Sequence, residues 1–196
     1  MANNLNPQKL IVIGNGPTLL EKENGQLIDS FDKVVRFNGY TIDKFEKNVG
    51  TRVDIWFNVI NFSKKDTEWR LKKPYDKIVL HSWQWDPEKD ALYTSFVEHY
   101  KNTNMFIEKT KRSTCVELCE YISITEKEYF SYSTGVIAIW MLLKEYSDIT
   151  ITGFDWWAAT KHHYNDNAPR GTLHKPDIEK RVIDELIEQN KIKFLG

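Results

Sequence analysis

The chain opens with a pattern that few folds accommodate: an apolar run, a glycine turn, a helical stretch and a second apolar run. Residues 10–13 are a continuous, largely β-branched run typical of a buried strand, and Gly14 ends it. Residues 18–30 can form a helix with Gly25 as its weak point, and residues 33–37 form the next strand. This order predicts a right-handed βαβ unit, the building block of parallel α/β sheets.

The rest of the chain continues this alternation of short apolar runs and helical stretches. We predict strands at residues 53–57, 77–80, 105–107, 148–152 and 191–194, and helices at residues 88–100, 113–121, 134–146 and 176–189. The alternation predicts a Rossmann-like α/β fold with an open, mostly parallel sheet and flanking helices. Ligands of such sheets bind outside the carboxyl ends of the strands, where the strand order reverses.

Length and composition favour a single domain over residues 1–196. The 196-residue chain is 41% hydrophobic and 28% charged, which is typical of a globular protein. Its 27 basic and 28 acidic residues nearly cancel, which argues against a duplex nucleic-acid binder. The N-terminus has no apolar signal segment, and residues 129–143, the longest uncharged run, are too short to cross a bilayer. We therefore expect a cytoplasmic protein.

Basic residues leave peripheral membrane contact open as an alternative. Clustered lysines and arginines can meet an anionic membrane surface, although a solvated charged face is their commoner role. The residues concerned are Lys64, Lys65, Lys72, Lys73, Lys109, Lys111 and Arg112.

A long stretch without clear periodicity, residues 156–173, predicts a lid or an acceptor-binding loop. His162 and His163 lie in this stretch, and His174 directly follows it. Histidine titrates near neutral pH, so this group suits general acid–base catalysis. A zinc site that includes Asp166 and surface histidines without a role are the alternatives, but the chain lacks helical metal-ligand spacing.

Two turns at predicted helix starts could bind an anion. At residues 14–18, Gly14 and Gly16 permit close backbone approach, Asn15 adds an amide, and the helix start offers N–H groups to phosphate. This turn is neither a P-loop nor a GxGxxG motif, so a plain strand-to-helix turn is the alternative. Residues 132–135 (Tyr-Ser-Thr-Gly) open the helix at 134–146 and form either a similar cradle or an ordinary N-cap.

Further candidates come from the second strand and from an aromatic cluster. Arg36 and Asn38 end that strand and could bind phosphate or ribose beside the glycine turn. Trp156, with Phe154 and Trp157, could stack on a base or a sugar ring, although packing is the commoner reason for such aromatics. The chain has no Asp-x-Asp pair of the kind that holds a metal in many nucleotide-sugar transferases.

Taken together, the motifs resemble glycosyltransferase family 29, the sialyltransferases. Stretches of the chain match four motifs of that family in the right order across residues 12–179. They are residues 12–18, 25–29, 31–38 and 49–54 for the long motif, 133–135 through 151–154 for the short motif, His163-Tyr164 for the third motif, and His174 with Glu179 for the last, His-x4-Glu. A second bacterial sialyltransferase family is also similar, through the glycine turn, the Arg-x-Asn of residues 36–38 and the late histidine.

The resemblance implies a GT-A-like fold and an inverting, metal-independent transfer of sialic acid, or a related sugar, from a CMP-sugar to a glycan, for example a galactose-terminated one. It implies no cofactor and no metal, because the CMP-sugar is a substrate. His174 would be the base, and His163 would bind the leaving phosphate. The implied donor-binding residues are Gly14, Asn15, Gly16, Arg36, Asn38, Ser133, Thr134, Gly135 and Tyr164, with Tyr132, Glu179 and Trp156 in support.

The sequence departs from the animal members of the family, which suggests a compact bacterial or viral relative. Animal members carry a cysteine pair that bridges the long and short motifs, whereas Cys115 and Cys119 lie in neither. Two further classes remain as alternatives. One is a pyrophosphokinase-like or flagellin-glycosylation-type protein, and the other is a non-catalytic module that binds a glycan or a nucleotide.

Overall fold

Seven strands form one sheet in which every hydrogen-bonded pair is parallel. The computed structural model describes residues 5–60, 73–82, 86–123, 132–156, 163–165 and 174–195. The strands are β1 (Asn6–Ile13), β2 (Lys33–Phe37), β3 (Ile55–Val59), β4 (Lys77–His81), β5 (Phe106–Lys109), β6 (Tyr146–Thr152) and β7 (Lys193–Phe194).

The helices follow the strands on both faces of the sheet. They are α1 (Gly25–Asp29), α2 (Glu46–Val49), α3 (Pro87–Tyr100), α4 (Arg112–Tyr121), α5 (Thr134–Leu142) and α6 (Pro176–Glu188), with a 3₁₀ helix at Pro17–Glu21. Within the described residues, no helix is long and apolar enough to cross a membrane. The predicted Rossmann-like α/β fold is confirmed.

The strand order, β5-β4-β3-β2-β1-β6-β7, places the reversal of chain direction across the sheet between β1 and β6. β1 pairs with β2 on one side, Val12 opposite Val35, and with β6 on the other, Val12 opposite Ile151. The carboxyl ends of β1 and β6 are therefore the point at which this class of sheet binds ligands.

Burial on both faces explains why the strands are apolar throughout rather than alternating. Val12, Val35 and Phe57 face a core formed with α4, α5 and α6. On the opposite face, Ile11 and Val34 pack with the 3₁₀ helix, α1 and α2, while residues of β3 and β4 pack with α3. Helix α5 shows the same burial. Its four consecutive residues from Val136 to Ile139 are buried and Trp140 is half-buried, because neighbouring elements enclose the helix.

Two helix predictions were too long. The helix expected over residues 18–30 is a 3₁₀ helix and a separate α1 that begins at Gly25. A Cβ at Gly25 would lie 2.0 Å from the carbonyl oxygen of Glu46, so the approach of α2 fixes this break. The helix expected over residues 134–146 ends at Leu142, because Tyr146 already belongs to β6 and pairs with Asn6.

Several predictions fall partly or wholly outside the described residues. They include Lys64, Lys65 and Lys72 of the basic surface, His162 and Asp166 of the alternative zinc site, and Trp157. Of the loop expected at residues 156–173, the structure describes Trp156 and residues 163–165.

Candidate functional site

A cleft of about 210 Å³ opens where the strand order reverses. It is bounded by the turns after β1, β2 and β6 and by the starts of α5 and α6. The described residues that line it are Gly14, Asn15, Gly16, Pro17, Phe37, Asn38, Ser133, Thr134, Gly135, Gly153, Phe154, Asp155, Trp156, His163, His174, Pro176 and Glu179. Eleven of the fourteen predicted site and supporting residues therefore line one cleft, and the three that do not are Arg36, Tyr132 and Tyr164.

The glycine turn is held against β6 and the segment that follows it. The backbone N–H groups of Gly14 and Gly16 donate to the carbonyl oxygens of Thr152 and Gly153, at 2.8 and 2.9 Å. The N–H of Thr18 donates to the carboxylate of Asp155 at 3.0 Å, and the Thr18 hydroxyl donates to the same carboxylate. Asp155 thus occupies the helix start at Thr18, while Asn15 lines the cleft, and the phosphate cradle expected at residues 14–18 stays a prediction.

The second predicted cradle, at the start of α5, keeps amides available. Ser133 caps the helix, and its N–H and hydroxyl donate to the carboxylate of Glu179 at 2.8 and 2.6 Å. Among the described residues, no hydrogen-bond acceptor for the N–H groups of Thr134 and Gly135 is present, as expected for a first helical turn. These N–H groups and the positive end of the helix dipole suit an anion.

Asn38 presents an amide group to the cleft. Its φ angle of 41° lies in the left-handed region, which asparagine tolerates better than most residues. The side-chain oxygen accepts a hydrogen bond from the N–H of Val59 at 2.8 Å. The amide nitrogen is left to face Thr134, whose hydroxyl oxygen lies 3.5 Å away, so Asn38 can donate to a ligand.

His163 reaches the cleft because the two residues that follow it are anchored. The N–H of Tyr164 donates to the carbonyl oxygen of Asn15 at 2.8 Å, and its hydroxyl donates to the carbonyl oxygen of Thr41. The amide of Asn165 donates to the hydroxyl of Thr41 at 2.8 Å. Tyr164 is 6% exposed and absent from the cleft lining, so the structure gives it an anchoring place rather than the predicted donor contact.

His174 lies at the start of α6 and is tied to α5 through Glu179. Glu179 is 3% exposed, one turn into α6, and it accepts both hydrogen bonds from Ser133. This contact fixes the His174 segment relative to the amides of α5. The predicted supporting role of Glu179 therefore has a geometric basis in this contact.

Arg36 and Tyr132 lie away from the cleft and inside the protein. Arg36 is 1% exposed, and its guanidinium donates to the carbonyl oxygens of Arg52 and Val49 at 2.8 and 2.5 Å. Burial lowers the pKa of Arg36 from its ordinary value. The hydroxyl of Tyr132 donates to the sulfur of Cys119 at 3.2 Å, and burial raises the pKa of this tyrosine. The structure thus places both predicted residues in the core.

Aromatic side chains form one wall of the cleft. The ring of Phe154 stacks on Trp156, with centroids 5.6 Å apart, and a Cβ at Gly135 would lie 2.7 Å from the Phe154 ring. Trp156 has a φ of 48°, an uncommon conformation for a bulky residue. The stacking of a base or a sugar ring on Trp156 stays a prediction.

Sequence reasoning missed Asp155 and His81. Asp155 follows the predicted strand and the Gly153-Phe154 turn, so its place at the carboxyl edge was available as a signal. His81 ends β4, directly after an apolar run, and is 3% exposed. Burial, and to a smaller extent the charge of His174, lower the pKa of His81 to about 4. Within the described residues, no group of three metal-ligating side chains is close enough to hold a metal ion.

A comparison with protein families decides the membership of the chain. The model of glycosyltransferase family 29 (sialyltransferase) matches residues 2–191. The chain belongs to glycosyltransferase family 29. The resemblance seen in the sequence motifs is confirmed.

Curated relatives of this family-29 chain carry different activities in their names. Beta-1,6-galactosyltransferase GALT29A of Arabidopsis thaliana is 27% identical over 202 residues, covering 89% of this chain and 50% of that protein. The human type 2 lactosamine alpha-2,3-sialyltransferase is 23% identical over 218 residues, covering 97% of this chain and 65% of that protein. The chain thus spans 50–65% of the length of these two relatives.

A solved structure shares the fold. The crystal structure of a mammalian sialyltransferase in complex with Gal-beta-1-3GalNAc-ortho-nitrophenol superposes with a TM-score of 0.70 at 20% sequence identity. The match covers 96% of this chain and 69% of that structure. At this identity the likeness establishes the fold of this family-29 chain.

Proposed function

We propose that the chain is an inverting glycosyltransferase that moves sialic acid, or a related sugar, from a CMP-sugar to a glycan hydroxyl without a metal ion. The observation that carries this proposal is that His174, His163, Asn38 and the open amides of α5 line one cleft. Family membership and the names of the sialyltransferase relatives support the choice of donor.

In the proposed reaction, the start of α5 receives the donor phosphate. The N–H groups of Thr134 and Gly135 and the side chain of His163 donate to the phosphate oxygens as negative charge develops there. Asn38 donates its amide to the ribose or the phosphate. The glycine turn lines the cleft, with the N–H groups of Gly14 and Gly16 bound to the carbonyl oxygens of Thr152 and Gly153.

His174 acts as the base. As the acceptor oxygen attacks the anomeric carbon, its proton passes to the imidazole and a new carbon–oxygen bond forms. The bond to the phosphate oxygen breaks, and its electron pair leaves with CMP. Attack from the side opposite the leaving group inverts the anomeric centre. Base catalysis of this kind contributes about 10²–10⁴-fold to the rate.

A galactosyl transfer is the second candidate, because one relative is named as a beta-1,6-galactosyltransferase. The decisive experiment incubates the chain, in EDTA, with CMP-N-acetylneuraminic acid or UDP-galactose and Gal-β1-3-GalNAc-ortho-nitrophenyl as the acceptor probe. We expect a sialylated product from the CMP-sugar, detected by mass spectrometry. Product from UDP-galactose alone, or a requirement for Mn²⁺ or Mg²⁺, would contradict the proposal.

Binding measurements separate the remaining classes. Calorimetry should detect binding of CMP and no binding of ATP. A pyrophosphokinase-like protein would instead bind the triphosphate in preference to CMP. A chain that binds CMP but neither hydrolyses nor transfers from any CMP-sugar would be a non-catalytic module. Either result would exclude the proposed transferase.

A further inference from the structure

His81 is a buried imidazole that the proposed reaction does not use. It is 3% exposed, and its Nδ1 has no hydrogen-bond partner among the residues that the structure describes. Buried polar atoms in native proteins are nearly always paired, so an unpaired one calls for an explanation. A partner that arrives with a ligand is one such explanation.

His81 lies on the face of the sheet against which α6, the helix that follows His174, packs. It ends β4, and the alternation of side chains along the strand puts it on the same face as Val79, which packs in the core shared by α5 and α6. The charge of His174 also lowers the pKa of His81, so the two imidazoles lie within electrostatic reach of each other.

His81 ends β4 and lies outside the lining of the cleft. The cleft follows β1, β2, β6 and the starts of α5 and α6, and His81 is not among the described residues that line it. β4 is two strands beyond β2 in the sheet, at the same carboxyl edge. A base must contact the acceptor hydroxyl, and the acceptor has to approach His174 from a direction that the donor leaves open.

We infer that His81 binds the acceptor sugar, with its imidazole hydrogen-bonded to a hydroxyl group of the glycan while His174 takes the proton of the attacking hydroxyl. This inference rests on the proposed function. A neutral imidazole both donates and accepts a hydrogen bond, which matches a sugar hydroxyl. Because burial holds the pKa of His81 near 4, the ring remains neutral throughout the neutral pH range.

The test compares His81→Phe, which keeps a flat ring without a polar atom, with His81→Asn, which keeps an amide near the position of Nδ1. Both are assayed with CMP-N-acetylneuraminic acid and Gal-β1-3-GalNAc-ortho-nitrophenyl. His81→Phe should lower kcat/KM for the acceptor roughly tenfold or more, as expected for a lost buried hydrogen bond. His81→Asn should recover most of that loss.

Three controls separate acceptor binding from packing. The Kd of CMP and the slow hydrolysis of the CMP-sugar without acceptor should stay within about twofold of the wild type in both variants, since His81 lies outside the donor cleft. His99→Phe, the same substitution at an exposed position of α3, should change nothing.

The outcomes distinguish this inference from the proposed function. If the wild type transfers sialic acid and His81→Phe matches its acceptor kcat/KM, the inference on His81 is overturned and the proposed function stands. It is also overturned if His81→Phe loses CMP binding in parallel, or if His81→Asn is as impaired as His81→Phe. A wild type that neither hydrolyses nor transfers overturns both.

Discussion

Arg36 and Asn38 are two residues apart in the sequence but belong to different polar regions. The polar groups around Arg36 bond to other groups of the protein, whereas some of those around Asn38 face the cleft. We refer to Arg36, Arg52, Asp29 and Asp54 as the scaffold cluster. Here Asp29 accepts from the N–H groups of Thr51 and Arg52, and the guanidinium of Arg52 donates to the carboxylate of Asp54. The side chains of the scaffold cluster therefore form hydrogen bonds with one another and with the backbone.

The cleft, in contrast, leaves donors facing outward. Asn38 and the first residues of α5 line the cleft between β1, β6 and α6. The N–H of Val59 fixes the side-chain oxygen of Asn38, and Glu179 fixes Ser133 at the start of α5. Strand alternation alone would put residues 36 and 38 on the same face. The positive φ of Asn38 breaks this alternation and turns its side chain to the cleft. One motif therefore supplies both the scaffold and the site.

Removing the scaffold guanidinium should have the largest effect and should act on stability. Arg36→Met strands the carbonyl oxygens of Val49 and Arg52 in the interior and should lower the free energy of unfolding by about 3 kcal/mol. Urea denaturation measures this loss, with Arg181→Met at an exposed position of α6 as the neutral control. A loss below about 1 kcal/mol would show that Arg36 is not part of a closed scaffold.

Removing the proposed base should act on turnover and leave stability unchanged. His174→Ala should reduce kcat roughly 10²-fold or more, which corresponds to about 2.7 kcal/mol in the activation free energy. The Kd of CMP and the unfolding midpoint should stay at wild-type values, and His99→Ala serves as the control. Transfer at a near-normal rate would remove His174 from the role of base.

Acid should destabilise the edge of the site through His81. Its folded-state pKa, about 4, lies below the ordinary value of 6.5, so the unfolded chain binds the proton more readily between these values. Stability therefore falls as the pH decreases from 6.5 towards 4, by about 2 kcal/mol at pH 5 for this group. Urea unfolding at pH 7 and pH 5 should show a smaller decrease in His81→Phe than in the wild type. Equal decreases would mean that His81 is not buried as a neutral ring.

The anchor below His163 should give the smallest effect. The hydroxyl of Tyr164 accepts a hydrogen bond from the N–H of Thr41 and donates one to its carbonyl oxygen. Tyr164→Phe removes both bonds and should lower the free energy of unfolding by about 1 kcal/mol. We expect a rise of a few-fold in KM for the CMP-sugar and little change in kcat, because His163 is held less firmly. A large loss of kcat with normal stability would instead point to a direct contact of Tyr164 with the donor.

Sequence reasoning predicted the sheet well because each strand is a short apolar run bounded by a turn. Burial on both faces makes this signal strong, and the strands from β1 to β4 begin or end within a few residues of their predicted positions. The helix boundaries were less predictable. The break before Gly25 depends on the approach of α2, and the end of α5 depends on the pairing of Tyr146 with Asn6, and neither contact is local in the sequence.

The candidate site could be predicted in part for a similar reason. Motif positions identified Asn15, Asn38, Ser133, His163 and His174, all of which line the cleft. Motifs do not reveal which way a side chain points, so Arg36 and Tyr164 were expected in the cleft although both are buried beside it. The competition of Asp155 for the helix start at Thr18 also arises only when β1 and β6 lie side by side.

The central claim is that a cytidylate occupies the cleft at the start of α5. A crystal structure of the chain with CMP tests it directly. We expect a phosphate within hydrogen-bond distance of the N–H groups of Thr134 and Gly135, near the amide of Asn38 and the ring of His163. CMP bound instead in the adjoining groove beside Asn24, Asn48 and Leu195 would contradict it.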